Sequence, residues 1–231
     1  MSIPKAALLI LTLLLAACSE PAPPTLNLYR AVAIGDLDQI KRHLHWGTDL
    51  NQADAAGDEP LHVAARQGNV ASARLLLGGG ADPQRRNVQG RTPLQLALIH
   101  GKTRVAELLK DQGVPIDSQT LLIELAGMGV ANRDSFEFLL RQGAHLNLPV
   151  PSGETALTAA ILGGHLETAA RLILLGADVN QSNAKGQRPL DLARSQLGPR
   201  RDDRARISEL LERNGALPGD QEGGRGDQTD E

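Results

Sequence analysis

Residues 92–113 combine a polar helix start with an apolar face further along the chain. Thr92 can accept a hydrogen bond from the first free backbone N–H groups of a helix, and Pro93 suits the first helical turn because it has no N–H to lose. An apolar face at the i, i+3, i+4 spacing of a helix follows at Val105, Leu108 and Leu109. Since Gly101 suits a turn and Gly113 a left-handed cap, the pattern predicts two short antiparallel helices.

This pattern recurs along the chain. One series of glycines is spaced by 33, 33, 30, 33 and 39 residues, at Gly47, Gly80, Gly113, Gly143, Gly176 and Gly215. A proline or alanine followed by leucine keeps the same phase, at Pro60, Pro93, Ala156 and Pro189. A helix pair of this size exposes apolar surface on both sides and is stable only when stacked, so the sequence predicts a repeat protein.

The starts and ends of these units resemble the signatures of ankyrin repeats. Residues 60–65 (PLHVAA) and 90–97 (GRTPLQLA) are similar to the TPLHxAA signature, and residues 143–147 (GAHLN) and 176–180 (GADVN) to the GADVN close. The resemblance covers residues 28–218. It implies a mainly α fold, a solenoid of about six helix-turn-helix units joined by β-hairpin-like loops.

Two units depart from the family pattern. The fourth, residues 118–148, is three residues short, lacks the proline start and places Gly127 and Gly129 within or beside its first helix. A glycine inside a helix costs about 1 kcal/mol relative to alanine, so we predict that this unit is the weakest of the stack or a bend in it. In the sixth unit, an insertion precedes a helix that we expect Asp202 or Asp203 to cap.

The beginning of the chain predicts a lipoprotein signal. Lys5 precedes an almost entirely apolar run over residues 6–17, which is shorter than the roughly 20 residues of a membrane-spanning helix and is typical of a secretory signal. Residues 15–18 (LAAC) resemble the lipobox of bacterial lipoproteins, and the only cysteine of the chain falls at its cleavage position. The resemblance implies removal of residues 1–17 and lipidation of Cys18. An ordinary signal peptide with a chance cysteine is the alternative.

Two polar segments flank the repeats. Residues 18–27 are rich in proline and are predicted to form an extended membrane tether. Residues 219–231 form an acidic, glycine-rich tail without apolar side chains, which predicts disorder. In lipoproteins of Gram-negative bacteria, a non-acidic residue such as Ser19 after the cysteine implies the outer membrane. We therefore expect a lipid-anchored protein of the bacterial cell envelope, at the outer membrane and facing the periplasm.

Composition and motifs disfavour several classes of function. The chain has 27 acidic and 24 basic residues, a net charge of −3 and only four aromatic residues, so we expect no binding to nucleic acid. Phosphate-loop, nucleophile-elbow and zinc-protease motifs are absent from the sequence. His62 occupies the position where the family's histidine makes structural hydrogen bonds between loops. The sequence thus predicts neither catalytic residues, nor a metal, nor a cofactor.

The resemblance also implies where a protein partner binds. Ankyrin proteins bind through their hairpin tips and the outer faces of their first helices, which line a concave groove. The tip positions here are Asp58, Gln89, Arg91, Glu154, Lys185 and Gln187. The first-helix positions are Arg66, Ile99, His100 and Leu162. Binding energy concentrates near the centre of an interface, so Arg91, Ile99 and His100 are the leading individual candidates.

Two functions follow from the sequence, in order of preference. The first is a non-enzymatic, lipid-anchored, monomeric module for protein–protein interaction, acting as a scaffold or modulator in the periplasm. The alternative is an inhibitor or immunity lipoprotein that captures a secreted toxic enzyme at the membrane. An enzyme is a third class, disfavoured because the sequence contains no recognisable catalytic site.

Overall fold

The computed structural model describes residues 20–151, 153–195 and 201–219. The expected signal peptide, Cys18, Ser19 and nearly all of the tail lie outside these residues. No helix in the described ranges has the length and apolar character needed to cross a membrane.

The described residues form twelve α-helices and no β-strand. The helices are α1 (Leu28–Ile34), α2 (Leu37–His45), α3 (Pro60–Gln67), α4 (Val70–Gly78), α5 (Pro93–Ile99), α6 (Thr103–Asp111), α7 (Ser118–Gly127), α8 (Arg133–Arg141), α9 (Ala156–Leu162), α10 (Leu166–Leu174), α11 (Pro189–Arg194) and α12 (Arg201–Arg213). They follow one another along the chain as six pairs of short helices. The predicted mainly α class is therefore confirmed.

Local capping explains where these helices begin and end. Pro93 is the first residue of α5, as predicted, and the glycine after α6, Gly113, has a φ of 82°. In α9, Thr155 Oγ1 accepts from the backbone N–H of Thr158 at 3.3 Å. The predicted capping of α12 differs in detail. That helix begins at Arg201, so Asp202 and Asp203 lie in its first turn, where carboxylates stabilise the positive end of the helix dipole.

The chain divides into two compact units at the first turn of α5. In the first unit, α1 packs on α3 and α2 packs on α4. Ile40, Leu61 and Leu76 are fully buried between these helices. Asn69, at the start of α4, also donates from Nδ2 to the carbonyl oxygen of Val32 at 2.9 Å, which ties neighbouring repeats together.

The N-terminal residues are held against this first unit. Trp46 donates from its indole N–H to the carbonyl oxygen of Pro21 at 3.1 Å. Gln39 Oε1 accepts from the backbone N–H of Thr25 at 2.8 Å, and His43 Nε2 lies 2.7 Å from the carbonyl oxygen of Leu26. The segment predicted to form an extended tether thus contacts the first repeat from Pro21 onward.

The second unit contains the two largest fully buried side chains among the described residues. Helix α9 packs on α7, α10 and α11, and α12 packs on α10 and α11. Phe136 and Phe138 of α8 are fully buried. Ser135 donates from Oγ to the carbonyl oxygen of Leu98 at 2.6 Å, which links α8 to α5.

The departure of the fourth repeat lies in one connection. Fourteen residues separate successive repeats at 46–59, 79–92, 142–155 and 175–188, but only six, residues 112–117, separate α6 from α7. Helix α7 starts early because Asp117 caps it, accepting at Oδ1 from the backbone N–H of Thr120 at 3.1 Å. The fourth repeat therefore begins without a hairpin.

The two glycines of this repeat do not interrupt its helix. Gly127 is the last residue of α7, and Gly129 follows the helix with a φ of 80°. Both glycines thus lie within or beside the helix, as predicted, but neither lies in the helix interior, so the cost of about 1 kcal/mol for each does not apply. That the fourth unit is the weakest of the stack or a bend in it stays a prediction.

Candidate functional site

Two predicted binding residues of the first unit pair with each other. Arg66 donates from Nη2 to Asp58 Oδ2 in an ion pair, and Asn87 Nδ2 donates to Asp58 Oδ1 at 2.8 Å. The side chain of Asp58 is only 3% exposed, whereas that of Arg66 is 41% exposed. The carboxylate of Asp58 thus joins two hairpins internally, and the guanidinium of Arg66 is the part of this pair that reaches the surface.

The other predicted tip residues lie in turns that one side chain closes. Asn87 Oδ1 accepts from the backbone N–H groups of Gln89 and Arg91, both at 3.0 Å. Asn183 Oδ1 accepts in the same way from Lys185 at 2.9 Å and from Gln187 at 3.0 Å. Gln89, Lys185 and Gln187 are exposed, and Arg91 is half-buried. These turns fix the backbone and leave the tip side chains at the surface.

Two predicted residues lie at the end of the first helix of the third repeat. Ile99 is the last residue of α5 and is half-buried, and His100 follows it and is exposed. In the second unit, by contrast, two predicted residues lie around a single cavity. Glu154 and Leu162 line a concave pocket of about 590 Å³.

One face of α7 forms the first wall of this pocket. Thr120, Ile123, Glu124 and Gly127 line it, at the i, i+3, i+4 and i+7 positions of the helix. A hairpin precedes the first helix of the second, third, fifth and sixth repeats, but the six-residue connection 112–117 provides none at this point. The face of α7 thus borders an open space because the preceding hairpin is missing.

The opposite wall comes from the next hairpin and from α9. Val150, Pro151 and Glu154 contribute from the hairpin, and Ala159 and Leu162 from the helix. The position of Val150 corresponds to Asp54, Asn87 and Asn183 in the other hairpins, where the side chain accepts two backbone N–H groups. Valine cannot do this, so its apolar side chain is free to line the pocket.

A histidine and two glycines set the spacing at the base of the pocket. His165 Nε2 lies 3.0 Å from the carbonyl oxygen of Gly127, which joins the ends of α7 and α9. A Cβ on Gly163, another lining residue, would lie 2.5 Å from that same nitrogen. A side chain at 163 would therefore displace the imidazole from this position. His165 acts here as a structural residue, through a hydrogen bond between repeats.

The pocket combines apolar walls with two carboxylates. Ile123 is 6% exposed and Ala159 7%, whereas Leu162 is 40% exposed. Glu124 accepts at Oε2 from the Nε2 amide of Gln95 at 3.2 Å. Among the described residues, neither Glu124 nor Glu154 forms an ion pair, and the lining contains no basic side chain. The rim thus carries two negative charges without a partner cation from the described part of the chain.

The buried polar groups of the first unit have structural roles. His62 is fully buried; its Nδ1 accepts from the backbone N–H of Glu59 at 3.1 Å, and its Nε2 lies 3.1 Å from the carbonyl oxygen of Arg85 and 3.2 Å from that of Arg91. The hydrogen bonds between loops expected of His62 are confirmed. Within the described ranges, no group of three or more histidine, cysteine, aspartate or glutamate side chains could hold a metal ion.

Two pKa values are raised in the same area. Burial raises the pKa of Tyr29 to about 12, and the nearby carboxylates of Asp54, Glu59 and Asp58 add to this shift. Its hydroxyl donates to backbone carbonyl oxygens, including that of Asp58 at 3.0 Å. Burial also raises the pKa of Glu59, against the opposing effect of the Arg85 guanidinium. Glu59 is buried and Tyr29 is half-buried, and both side chains are bound to groups of the chain itself.

Sequence reasoning found two of the pocket residues and missed the α7 wall. Glu154 and Leu162 were aligned with hairpin-tip and first-helix positions of the family. Thr120, Ile123 and Glu124 were missed because the fourth unit lacks the family's start signature, so none of its residues was aligned with a binding position. The sequence signal that locates them is Asp117 followed by Thr120, a capping pair directly before an apolar run.

Comparisons with known proteins agree with this architecture. Ankyrin-repeat family models match residues 28–120 and 152–184, more than half of the chain. The transient receptor potential channel A member 1 homolog of Caenorhabditis elegans is 31% identical over 62% of this chain, but only 12% of its own length is matched. The chain spans less than a third of the length of the first curated relatives that it matches.

Solved structures match over most of both chains. The human ASB11 ankyrin repeat domain has a TM-score of 0.59 at 26% identity, over 83% of this chain and 85% of that chain. A chain from the complex of the Bdellovibrio bacteriovorus predatory endopeptidase Bd0816 with immunity protein Bd3460 has a TM-score of 0.57 at 29% identity, over 84% of this chain and 98% of that chain. Ankyrin repeats are modules for protein–protein interaction, and by sequence and by structure this chain belongs to the ankyrin-repeat family.

Proposed function

We propose that the protein is a non-catalytic interaction module that binds a protein partner at the pocket between α7 and α9. The observation that carries this proposal is a concave site of about 590 Å³ that presents the exposed side chain of Leu162 beside the buried Ile123. Apolar side chains in a concave surface gain stability when a partner covers them. The pocket also uses the elements through which ankyrin proteins bind, a first helix and a hairpin tip.

We further propose that Cys18 carries a lipid and holds the protein at the envelope, facing the periplasm. The lipobox-like residues 15–18 support this. Because Pro21 contacts Trp46, only residues 18–20 would separate the lipid from the folded part. At about 3.1 Å per residue, that gives a spacer of about 10 Å, so the first repeat would lie directly at the membrane surface.

Photo-crosslinking in cells tests the binding site. A photoreactive amino acid at Leu162 lies in the pocket, and one at Glu167 lies on the exposed second helix of the same repeat and is the matched control. We expect one dominant protein adduct from position 162 and none from position 167. Equal, diffuse labelling from both positions would contradict the pocket as the binding site.

Metabolic labelling tests the anchor. Cells grown with an alkyne derivative of palmitate should label the wild-type protein and retain it in the membrane fraction. Cys18→Ala should remove both the label and the membrane association, since no other cysteine exists in the chain. Labelling that persists in this variant would show that the lipid is not on Cys18, and a soluble, unlabelled wild-type protein would show that no anchor exists.

An inhibitor or immunity protein is the second candidate function. The observation that favours it is the match to a chain of the complex between a predatory endopeptidase and its immunity protein. Under this proposal, deletion of the gene should be toxic, and removal of one secreted enzyme should relieve the toxicity. A deletion strain that grows normally while position 162 still captures a partner would favour the scaffold instead.

A further inference from the structure

We propose that the pocket between α7 and α9 receives an arginine or lysine side chain of the partner. This inference rests on the proposed binding function and specifies the chemistry of the partner. It follows from two features of the same cavity, its apolar walls and its two carboxylates.

The walls fit the aliphatic stem of a long basic side chain. Ile123 and Ala159 present mostly buried apolar surface, and Leu162 is 40% exposed beside them. Arginine and lysine bury their methylene stems against such surfaces while the charged head stays at the rim. A cavity of about 590 Å³ leaves room for a basic side chain and part of the segment that carries it.

The rim carboxylates fit the charged head. Glu124 accepts one hydrogen bond, from the amide of Gln95 at 3.2 Å, which donates without neutralising the charge. Glu154 forms no ion pair with a described residue. A guanidinium or ammonium group between these two carboxylates would gain charge-assisted hydrogen bonds, and a purely apolar or acidic side chain would not.

Two basic side chains of the second unit, Arg204 and Lys185, are not among the residues that line the pocket. Arg204 is 7% exposed and donates from Nη2 to the carbonyl oxygen of Leu162 at 3.0 Å and from Nη1 to that of Ser195 at 3.2 Å. Its guanidinium is thus held by backbone oxygens and is not part of the lining. Lys185 lies in an exposed turn of the following hairpin and does not line the pocket either.

Selection from a random dodecapeptide library displayed on phage tests the inference with the full chain as bait. Enriched peptides are synthesised with a fluorescent label, and their affinities are measured by anisotropy. The variant Glu124→Gln/Glu154→Gln removes both rim charges, and Glu107→Gln/Glu167→Gln removes two exposed charges from second helices as the matched control. Gly127→Leu blocks the pocket, because a Cβ at 127 points toward Ala159 at 3.8 Å.

We expect the enriched peptides to share an arginine or lysine and to lose binding to Gly127→Leu. Each rim substitution should weaken binding about tenfold, since a hydrogen bond to a charged group at a partly exposed site is worth about 1.5 kcal/mol. The control pair should bind within about twofold of wild type. Replacing the basic residue of the peptide by norleucine should weaken binding about as much as the double rim variant.

Two results would overturn the inference in different ways. Peptides that Gly127→Leu blocks but that lack a basic residue, or that bind Glu124→Gln/Glu154→Gln as tightly as wild type, would refute the basic side chain and leave the binding function in place. If no enriched peptide is blocked by Gly127→Leu, the pocket is not a peptide site, and the proposed function fails together with the inference.

Discussion

Replacing Glu59 by threonine is expected to stabilise the protein. Glu59 precedes α3 at a position where α5 and α9 have Thr92 and Thr155. Its side chain is 3% exposed; Oε1 accepts from Arg85 Nε at 2.9 Å, and Oε2 has no hydrogen-bond partner. A buried carboxylate with one unsatisfied oxygen is thus present where the family pattern has a small capping hydroxyl.

The size of the effect follows from three contributions. An unsatisfied buried polar atom costs about 1–3 kcal/mol, which the substitution removes. The ion pair with the half-exposed Arg85 is worth at most about 1 kcal/mol, which the substitution loses. A threonine N-cap adds at most about 1 kcal/mol, because Glu59 already forms a capping box with His62. Because the last two contributions roughly cancel, the net expectation at neutral pH is a gain of about 1–3 kcal/mol in the free energy of unfolding, or several degrees in Tm.

The gain should depend on pH in a defined direction. Burial raises the pKa of Glu59 above its ordinary 4.5, so the folded state holds the proton more tightly than the unfolded state. The free energy of unfolding therefore falls as the pH rises from the ordinary pKa through the raised one. The advantage of Glu59→Thr should be small at pH 4 and complete at pH 8.

Urea unfolding at pH 4, 6 and 8 measures the difference in the free energy of unfolding between the variant and wild type. Circular dichroism reports on the whole fold, and the fluorescence of Trp46 reports on the first repeat. Glu59→Gln is the control, because it removes the charge and keeps the size; it should remove the part of the pH dependence that Glu59 contributes, without adding a threonine cap. The reasoning is refuted if Glu59→Thr is no more stable than wild type at pH 8, or if its advantage is the same at pH 4 and pH 8.

Three further predictions use the same urea assay. His62→Ala should lose about 2–4 kcal/mol, because a fully buried imidazole with three hydrogen-bond partners is removed. Gly153→Ala should cost more than Gly90→Ala: both glycines have positive φ, but a Cβ at 153 would lie 2.8 Å from the backbone nitrogen of Ala184, whereas that at 90 meets open space. Asp117→Ala should cost about 1 kcal/mol at neutral pH and less in acid, because hydrogen bonds lower the pKa of this capping carboxylate.

The regular part of the fold could be predicted because its signals are local. Pro60, Pro93 and Pro189 are each the first residue of a helix, and Gly113, with a positive φ, follows the last helix of the third repeat. Proline at the first helical position and glycine after the last act through their own backbone geometry, so tertiary context does not override them. The role of His62 could be transferred from the family because its partners are backbone groups, which do not depend on the side chains of the neighbouring loop.

The fourth repeat could not be placed in this way. The sequence shows that this repeat is three residues short, but the family pattern does not indicate which helix or loop has lost them. In the structure this repeat has no hairpin, and α7 begins directly after Asp117, whose side chain caps the helix. The environment of Asp58 was missed for a different reason, since the partner of its carboxylate, Asn87, comes from the next repeat.

The pocket forms where the fourth and fifth repeats depart from the regular repeat pattern. Residues that follow the family pattern, such as His62 and Asn87, are engaged in hydrogen bonds within the chain and are not available to a partner. The groups that can contact a partner are those that depart from the family pattern. They are the uncovered face of α7, which carries Glu124, and Val150, which replaces a side chain that closes the turn in other hairpins. A repeat protein keeps its stability in the regular interfaces between units, so its specificity is free to reside in the irregular ones. The identity of the partner should therefore depend most on the fourth and fifth repeats.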